Sequence, residues 1–237
     1  IICTLGGIWC DRFLFDPQNA QSGCWRALVG PARALDASRY RLLSFDSLGG
    51  QGESTGPQPG APFPSVSTYD QADALVRLMD HLGIVSLRAI VGGSYGGMVA
   101  LAFAERHPER ASALVVVSAA DRPHPMAIAW HSIQRHIVQF AIDCDRGQEG
   151  LRLARAIGMS LYRSPEEFAA RFPGIASLRN GRFAFPVEGY LFADSTEVAG
   201  FRAEAFLCLS ESLDLHQVDA GRIFVPTTAV GAREDQL

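Results

Sequence analysis

Apolar residues fall first into short continuous runs and later into helical spacing. Ile1-Ile2-Cys3-Thr4-Leu5, Tyr40-Arg41-Leu42-Leu43-Ser44-Phe45, the run from Leu87 to Val91 and Ala113-Leu114-Val115-Val116-Val117-Ser118 read as strands. The last is of the kind buried on both faces of a parallel sheet. Between them, Leu75, Val76, Met79 and Leu82 make one apolar helix face that Gly83 would end, and Thr68 with Gln71 has the form of a capping box at its start. Another helix runs from the residue after Ser94 towards His107-Pro108. Strands alternating with helices at this spacing predict a doubly wound α/β fold. From about Ala120 to Gly221 the alternation stops, and 125–144, 150–162, 164–172 and 203–215 read as helices before a strand returns at 223–231. The pattern therefore predicts a sheet core at 1–119, a helical cap inserted at 120–221 and the core resuming at 222–237. Caps of this kind sit over a site and exclude water.

Chemistry enters where an apolar run breaks into glycines around one serine, Ala89-Ile90-Val91-Gly92-Gly93-Ser94-Tyr95-Gly96-Gly97-Met98. Gly92-x-Ser94-x-Gly96 is the nucleophile-elbow pattern, in which small residues let strand and helix pack closely while the serine sits strained at the tip. The following helix points its positive end at Ser94, so the Tyr95 N–H is a candidate oxyanion donor. Leu5-Gly6-Gly7 ends the first strand at the position that supplies a second donor in such sheets; Gly7 is the candidate, with Gly6 beside it. An ordinary strand-ending turn is the alternative there. The loop Asp46-Ser47-Leu48-Gly49-Gly50-Gln51-Gly52-Glu53-Ser54-Thr55-Gly56-Pro57 lacks the GKS/T ending of a phosphate cradle, so it reads as site geometry and not as a nucleotide site.

A triad on this fold runs serine, acid, histidine in chain order. Asp235, just past the last strand, stands in the acid's place with Glu234 beside it, the alternative being a solvated loop carboxylate. No histidine follows. His81, His107, His124, His131, His136 and His216 all precede the acid. The chain opens on a strand pattern without an initiating methionine and stops just after another strand, so the sequence reads as an internal fragment of a longer protein with the histidine beyond residue 237.

Composition narrows the classes. With 48% apolar and 19% charged residues the chain is globular, and a net charge of −4 without a basic run argues against nucleic acid. No apolar stretch reaches membrane-spanning length, which predicts a cytoplasmic protein. The five cysteines, Cys3, Cys10, Cys24, Cys144 and Cys208, lack metal-ligand spacing and read as reduced and structural, so no metal is predicted.

Four segments carry a resemblance to a known family: Leu48-Gly49-Gly50 through Ser54-Thr55-Gly56-Pro57; Gly93-Ser94-Tyr95-Gly96-Gly97-Met98; Leu153-Ala154-Arg155 through Tyr162-Arg163-Ser164-Pro165-Glu166-Glu167-Phe168 with Arg171-Phe172; and Phe206-Leu207-Cys208-Leu209-Ser210 with Leu213-Asp214. The chain resembles the MetX-type homoserine O-acyltransferases, cytoplasmic enzymes of methionine biosynthesis with an α/β-hydrolase fold. The resemblance implies that Ser94 takes an acyl group from acyl-CoA as co-substrate, with Asp235 as triad acid and Tyr95 and Gly7 as the oxyanion hole. It implies that Arg163 contacts the carboxylate of homoserine, or of serine, and that the enzyme is a homodimer joined through cap helices. The Gly93-Ser94-Tyr95 form of the elbow is closer to the succinyl-transferring members than to the acetyl-transferring ones. An esterase on the same fold and a non-catalytic fragment lacking the histidine are the rival readings.

Overall fold

The computed structural model describes residues 1–15, 23–193 and 200–233, which divide into two compact units. The first, residues 1–123 with 204–231, is built on a five-stranded sheet in the order β2-β1-β3-β4-β7, parallel throughout. Its strands are β1 (Ile2–Leu5), β2 (Leu42–Leu43), β3 (Ala89–Gly93), β4 (Leu114–Val117) and β7 (Thr227–Val230). Register lines the strand ends up: Leu5 lies opposite Gly92, Gly93 opposite Val117, and Val117 opposite Val230. The carboxyl ends of β1, β3 and β4 thus form one edge, where ligands bind in open α/β sheets. An α/β fold with a mainly parallel sheet and helical insertions is what the apolar runs predicted, although the run at 40–45 yields only two paired residues.

Helices α1 (Thr68–His81) and α2 (Tyr95–Arg106) pack against each other and the sheet through Ala72, Leu75, Met79, Val99, Ala100 and Phe103, all buried. The start of α1 differs from expectation. Ser67 is the N-cap and forms the capping box with Asp70, one residue ahead of the Thr68–Gln71 pair. Thr68 and Gln71 are fully buried instead, because they share the inward face with Leu75 and Met79. Helix α7 (Ala203–Asp214) belongs to this first unit from Glu204 on, contributing Leu209 and Leu213 to the sheet's core, whereas the sequence pattern placed 203–215 in the insertion.

The second unit, made of the described residues of 124–203 with 232–233, holds α3 (Pro125–Asp143), α4 (Gly147–Leu161), α5 (Pro165–Arg171), the hairpin β5 (Ser177–Arg179) and β6 (Arg182–Ala184), and α6 (Pro186–Leu191). Its centre is the α3/α4 pair, which approach closely because Gly150 has no side chain; a Cβ there would stand 2.5 Å from that of Ala141.

Two further features depart from the sequence reading. Cys10 and Cys24 form a disulfide, while Cys3, Cys144 and Cys208 are free. The two half-cystines are brought together by the folding of the 6–12 turn against 23–25, which no local pattern announces. The other is His216, buried in the first unit. Its Nε2–H donates to the Ala120 carbonyl at 3.1 Å, which fixes Nδ1 as the acceptor of the Thr68 hydroxyl at 2.8 Å. Both ring nitrogens are therefore committed to joining the start of α1 to the segment after β4.

Burial lowers the His216 pKa from 6.5 to about 4, against the smaller opposing effects of the Ala120 carbonyl, Asp121 and Glu105. The unfolded chain takes up this proton below about pH 6.5 and the native state does not. Stability from the site is thus complete above pH 6.5 and is lost as pH falls towards 4, by up to about 3 kcal/mol across the window. The urea midpoint of the wild type should fall through this range, and the His216→Gln variant should show a shallower decline.

Candidate active site

Ser94 joins β3 to α2 with φ 53° and ψ −123°, a left-handed conformation that a side chain rarely adopts. The turn is fixed by backbone bonds: Ser94 N–H donates to Val117 at 2.8 Å, and the Ser94 carbonyl accepts from Gly97 at 2.8 Å and Met98 at 3.1 Å. The glycines explain why the chain can turn so sharply. A Cβ on Gly92 would strike the Gly96 carbonyl, one on Gly96 would strike the Leu5 carbonyl, and one on Gly97 would come within 2.7 Å of the Ala119 Cβ. Helix α2 therefore starts almost in contact with two strands, and Ser94 is left exposed at the sheet's carboxyl edge.

Gly7 is brought to this serine. A Cβ built on it would lie 3.8 Å from the Ser94 Cβ and 4.0 Å from Oγ, so backbone approaches the serine hydroxyl without an intervening side chain. The Gly7 carbonyl accepts from Cys10 N–H at 2.9 Å, closing a tight turn. Gly6, Gly7, Tyr95, Gly96 and Ser47 line a cleft with Cys10 and Asp11. The structure thus places Ser94, Gly7 and Tyr95 together in one unit. Glu234 and Asp235 lie outside the described residues.

The Tyr95 side chain anchors the elbow from below. Its hydroxyl lies 2.7 Å from Ser212 Oγ on α7 and accepts from Gln71 Nε2 at 3.2 Å, with all three side chains buried. Gln71 also donates to the Leu48 carbonyl at 2.8 Å and accepts the Leu48 N–H at 2.9 Å. Burial pushes the phenol pKa well above its usual value, so Tyr95 stays neutral. Sequence reasoning missed Gln71 and Ser212; the signal for Gln71 was its helical spacing with Leu75 and Met79.

The Leu48-Gly49-Gly50 loop is folded around Asp46. Its carboxylate accepts from the backbone of Arg12 at 2.8 Å and of Glu53 at 3.0 Å and pairs with the Arg12 guanidinium, while Ser54 Oγ donates to the Asp46 carbonyl at 2.6 Å. Burial alone would raise this acid's pKa, but the two backbone bonds and Arg12 outweigh it and hold it below the usual range. Gly49 (φ +75°) rests on Cys208 and Gly50 on Leu209 of α7. Two of the sequence blocks that carry the family resemblance are therefore halves of one packing contact.

Arg163 lies in the second unit at the entry to α5. Ser164 caps that helix and Pro165 takes its first position; Arg163 Nε donates to Tyr190 Oη at 2.8 Å and its terminal nitrogen pairs with Glu167 at 2.6 Å. Among the histidines, His216 has both nitrogens committed, His107 pairs with Asp73, His124 caps α3, and His136 Nδ1 donates to the Ser132 carbonyl. Among the described residues no cluster of three His, Cys, Asp or Glu could hold a metal, and no helix is long and apolar enough to cross a membrane.

Comparison with known proteins agrees with this geometry. Residues 19–236 match the family model described as the alpha/beta hydrolase fold. A homoserine O-succinyltransferase of Xanthomonas campestris is 42% identical over the whole of this chain, which covers 63% of that protein. A homoserine O-acetyltransferase of Symbiobacterium thermophilum is 34% identical over 94% of this chain and 67% of its own length. Among solved structures, homoserine O-acetyltransferase from Bacillus anthracis superposes with a TM-score of 0.84 over all of this chain and 74% of its own, at 17% identity, a likeness of fold. The chain spans just over half to two thirds of the length of the curated relatives it matches.

Strain at the elbow is measurable without an activity assay. Relieving a left-handed non-glycine residue returns about 1–3 kcal/mol, against about 0.5–1 kcal/mol for glycine's greater unfolded freedom. Ser94→Gly should therefore gain on the order of 1 kcal/mol in urea unfolding.

Proposed function

The chain belongs to the α/β hydrolase fold family and, within it, to the homoserine O-acyltransferases, and we propose that the protein carrying it transfers an acyl group from acyl-CoA to the hydroxyl of L-homoserine, a step of methionine biosynthesis. The observation that carries the reading is the exposed Ser94 at the strained strand end, with Gly7 backbone against it and Tyr95 opening α2.

Ser94 Oγ attacks the thioester carbonyl, and the negative charge that develops on its oxygen is held by the N–H groups of Tyr95 and Gly7 and by the positive end of α2. Collapse of this intermediate expels CoA thiolate and leaves an acyl ester on Ser94; the homoserine hydroxyl then attacks that ester and regenerates the serine. Asp235 is assigned the triad acid, orienting an imidazole that takes the Ser94 proton. None of this chain's six histidines is assigned that role. Arg163 is assigned to the substrate carboxylate; Tyr190 and Glu167 hold its guanidinium in a fixed orientation suited to a planar anion. Succinyl-CoA is the favoured donor and acetyl-CoA the alternative, since the relative at 42% identity carries the succinyl name and the one at 34% the acetyl name. Serine is the alternative acceptor. A cytoplasmic location is proposed along with these substrates.

Purified full-length protein should release CoA thiol from succinyl-CoA only when homoserine or serine is present, and Ser94→Ala should lower the rate by about 10⁴-fold or more. Release without an acceptor would instead identify a thioesterase or esterase.

A homodimer through the cap helices is also proposed. Met126, Ile133 and Phe140 recur every seven residues along α3 and are 54%, 47% and 72% exposed, an apolar stripe along one helix face. Ile133→Glu with Phe140→Glu should convert a dimer to a monomer in sedimentation velocity.

A further inference from the structure

The Cys10–Cys24 disulfide sits on the turn that carries Gly7. Cys10 closes that turn through its N–H and lines the cleft beside Gly6, Gly7 and Tyr95. It packs so tightly under Gly6 that a Cβ there would stand 2.5 Å from both its Cβ and its Sγ. Cys24 anchors the other end. The next residue, Trp25, is bonded through its N–H to the Leu14 carbonyl at 3.0 Å. The Trp25 ring packs with Val29, Leu35 and Ile2 and lies 3.7 Å from where a Cβ on Gly93 would be. The disulfide therefore ties the turn that presents Gly7 to a cluster packed on the sheet beneath the elbow. Its two residues differ in exposure: Cys24 is exposed and Cys10 is partly covered.

We propose that the Cys10–Cys24 disulfide is a redox-operated clamp on the oxyanion turn, opened by cellular thiols and closed by a disulfide oxidant. The proposal rests on the reading of Gly7 as an oxyanion donor. With the bond closed, the Gly7 N–H is held at a fixed distance from Ser94; with it open, the contacts left to the turn include the Cys10–Gly7 backbone bond, the packing of Trp9 on Phe206 at 5.4 Å and the pairing of Arg12 with Asp46 and Glu53. Opening begins with a thiolate attacking the sulfur of the exposed Cys24, which forms a mixed disulfide there and expels Cys10 as thiolate, to be protonated by water. A second thiol attacks the external sulfur of that mixed disulfide and releases Cys24. In sum two thiols are oxidised to one disulfide and the protein gains two electrons and two protons; closure is the reverse exchange with a low-molecular-weight disulfide. Two of the three free cysteines compete poorly for exchange, since burial pushes the Cys3 thiol to about 12 and, with Glu211 adding to it, the Cys208 thiol to about 11; the third, Cys144, is exposed and lies in the other unit. In a cytoplasmic enzyme, the disulfides that do form are commonly of this reversible kind.

The test compares full-length protein before and after dithiothreitol. Native alkylation with peptide mass analysis should find Cys10 and Cys24 blocked before treatment and labelled after it. Hydrogen exchange of the peptide spanning Gly6 to Arg12 should quicken on reduction, a readout that needs no turnover. The kcat for acyl transfer should fall about tenfold with KM for acyl-CoA within twofold, a fraction of the about 10²–10³-fold cost of losing one oxyanion donor outright. Oxidised glutathione should restore it. Cys10→Ser with Cys24→Ser should match the reduced wild type and ignore dithiothreitol. The proposal is overturned if both cysteines alkylate in the untreated protein, or if the bond opens and kcat stays unchanged. Retention of acyl transfer by Ser94→Ala would instead overturn the reading of the site on which the clamp rests.

Discussion

The first unit depends on one close approach, that of the first turn of α2 to the ends of β1 and β3. Helix and strands are held nearer than side chains permit, because positions 92, 96 and 97 present only hydrogen where a Cβ would meet backbone or Ala119. Everything at the sheet edge inherits its position from this contact. It forces Ser94 into a left-handed turn, aims α2 across the strand ends, and leaves the backbone of Gly7 facing the serine. A helix seated even one side-chain radius further out would free the serine from strain and would also separate it from the Gly7 backbone.

The loops around the elbow are positioned by buried polar groups rather than by apolar packing alone. Asp46 gathers Arg12 and the 46–55 loop around one carboxylate, and Tyr95 joins α1, α2 and α7 through Gln71 and Ser212. Such groups are expensive to bury and specific once satisfied, which suits a site whose loops must hold one geometry. His216 does the same for the join between α1 and the segment after β4, and its neutrality is enforced by where it sits.

What the sequence disclosed follows the range of each signal. The elbow was legible because its requirements are local: small residues on either side of one serine, between an apolar run and a helix. The parallel sheet was legible from the continuous apolar run at 113–118, of the kind buried on both faces, and from strands alternating with helices. The hairpin β5/β6 and the short α6 were not, since three-residue strands are too short to show a period. Thr68 and Gln71 misled because two overlapping motifs compete for one helix start. Ser67 and Asp70 won the cap, and the residues behind them turned inward. The Cys10–Cys24 bond was invisible because pairing depends on where two turns meet in space, and spacing along the chain carries no record of that.

Gln71 has a consequence of its own. By donating to the carbonyl and accepting from the N–H of the same residue, Leu48, its carboxamide reproduces the edge of a neighbouring strand at a point where the sheet has none. Recognition through the main chain is blind to what residue 48 carries. A substitution at residue 48 that keeps the backbone in place would leave both bonds intact, so the loop's path here is written in a single amide on a different helix.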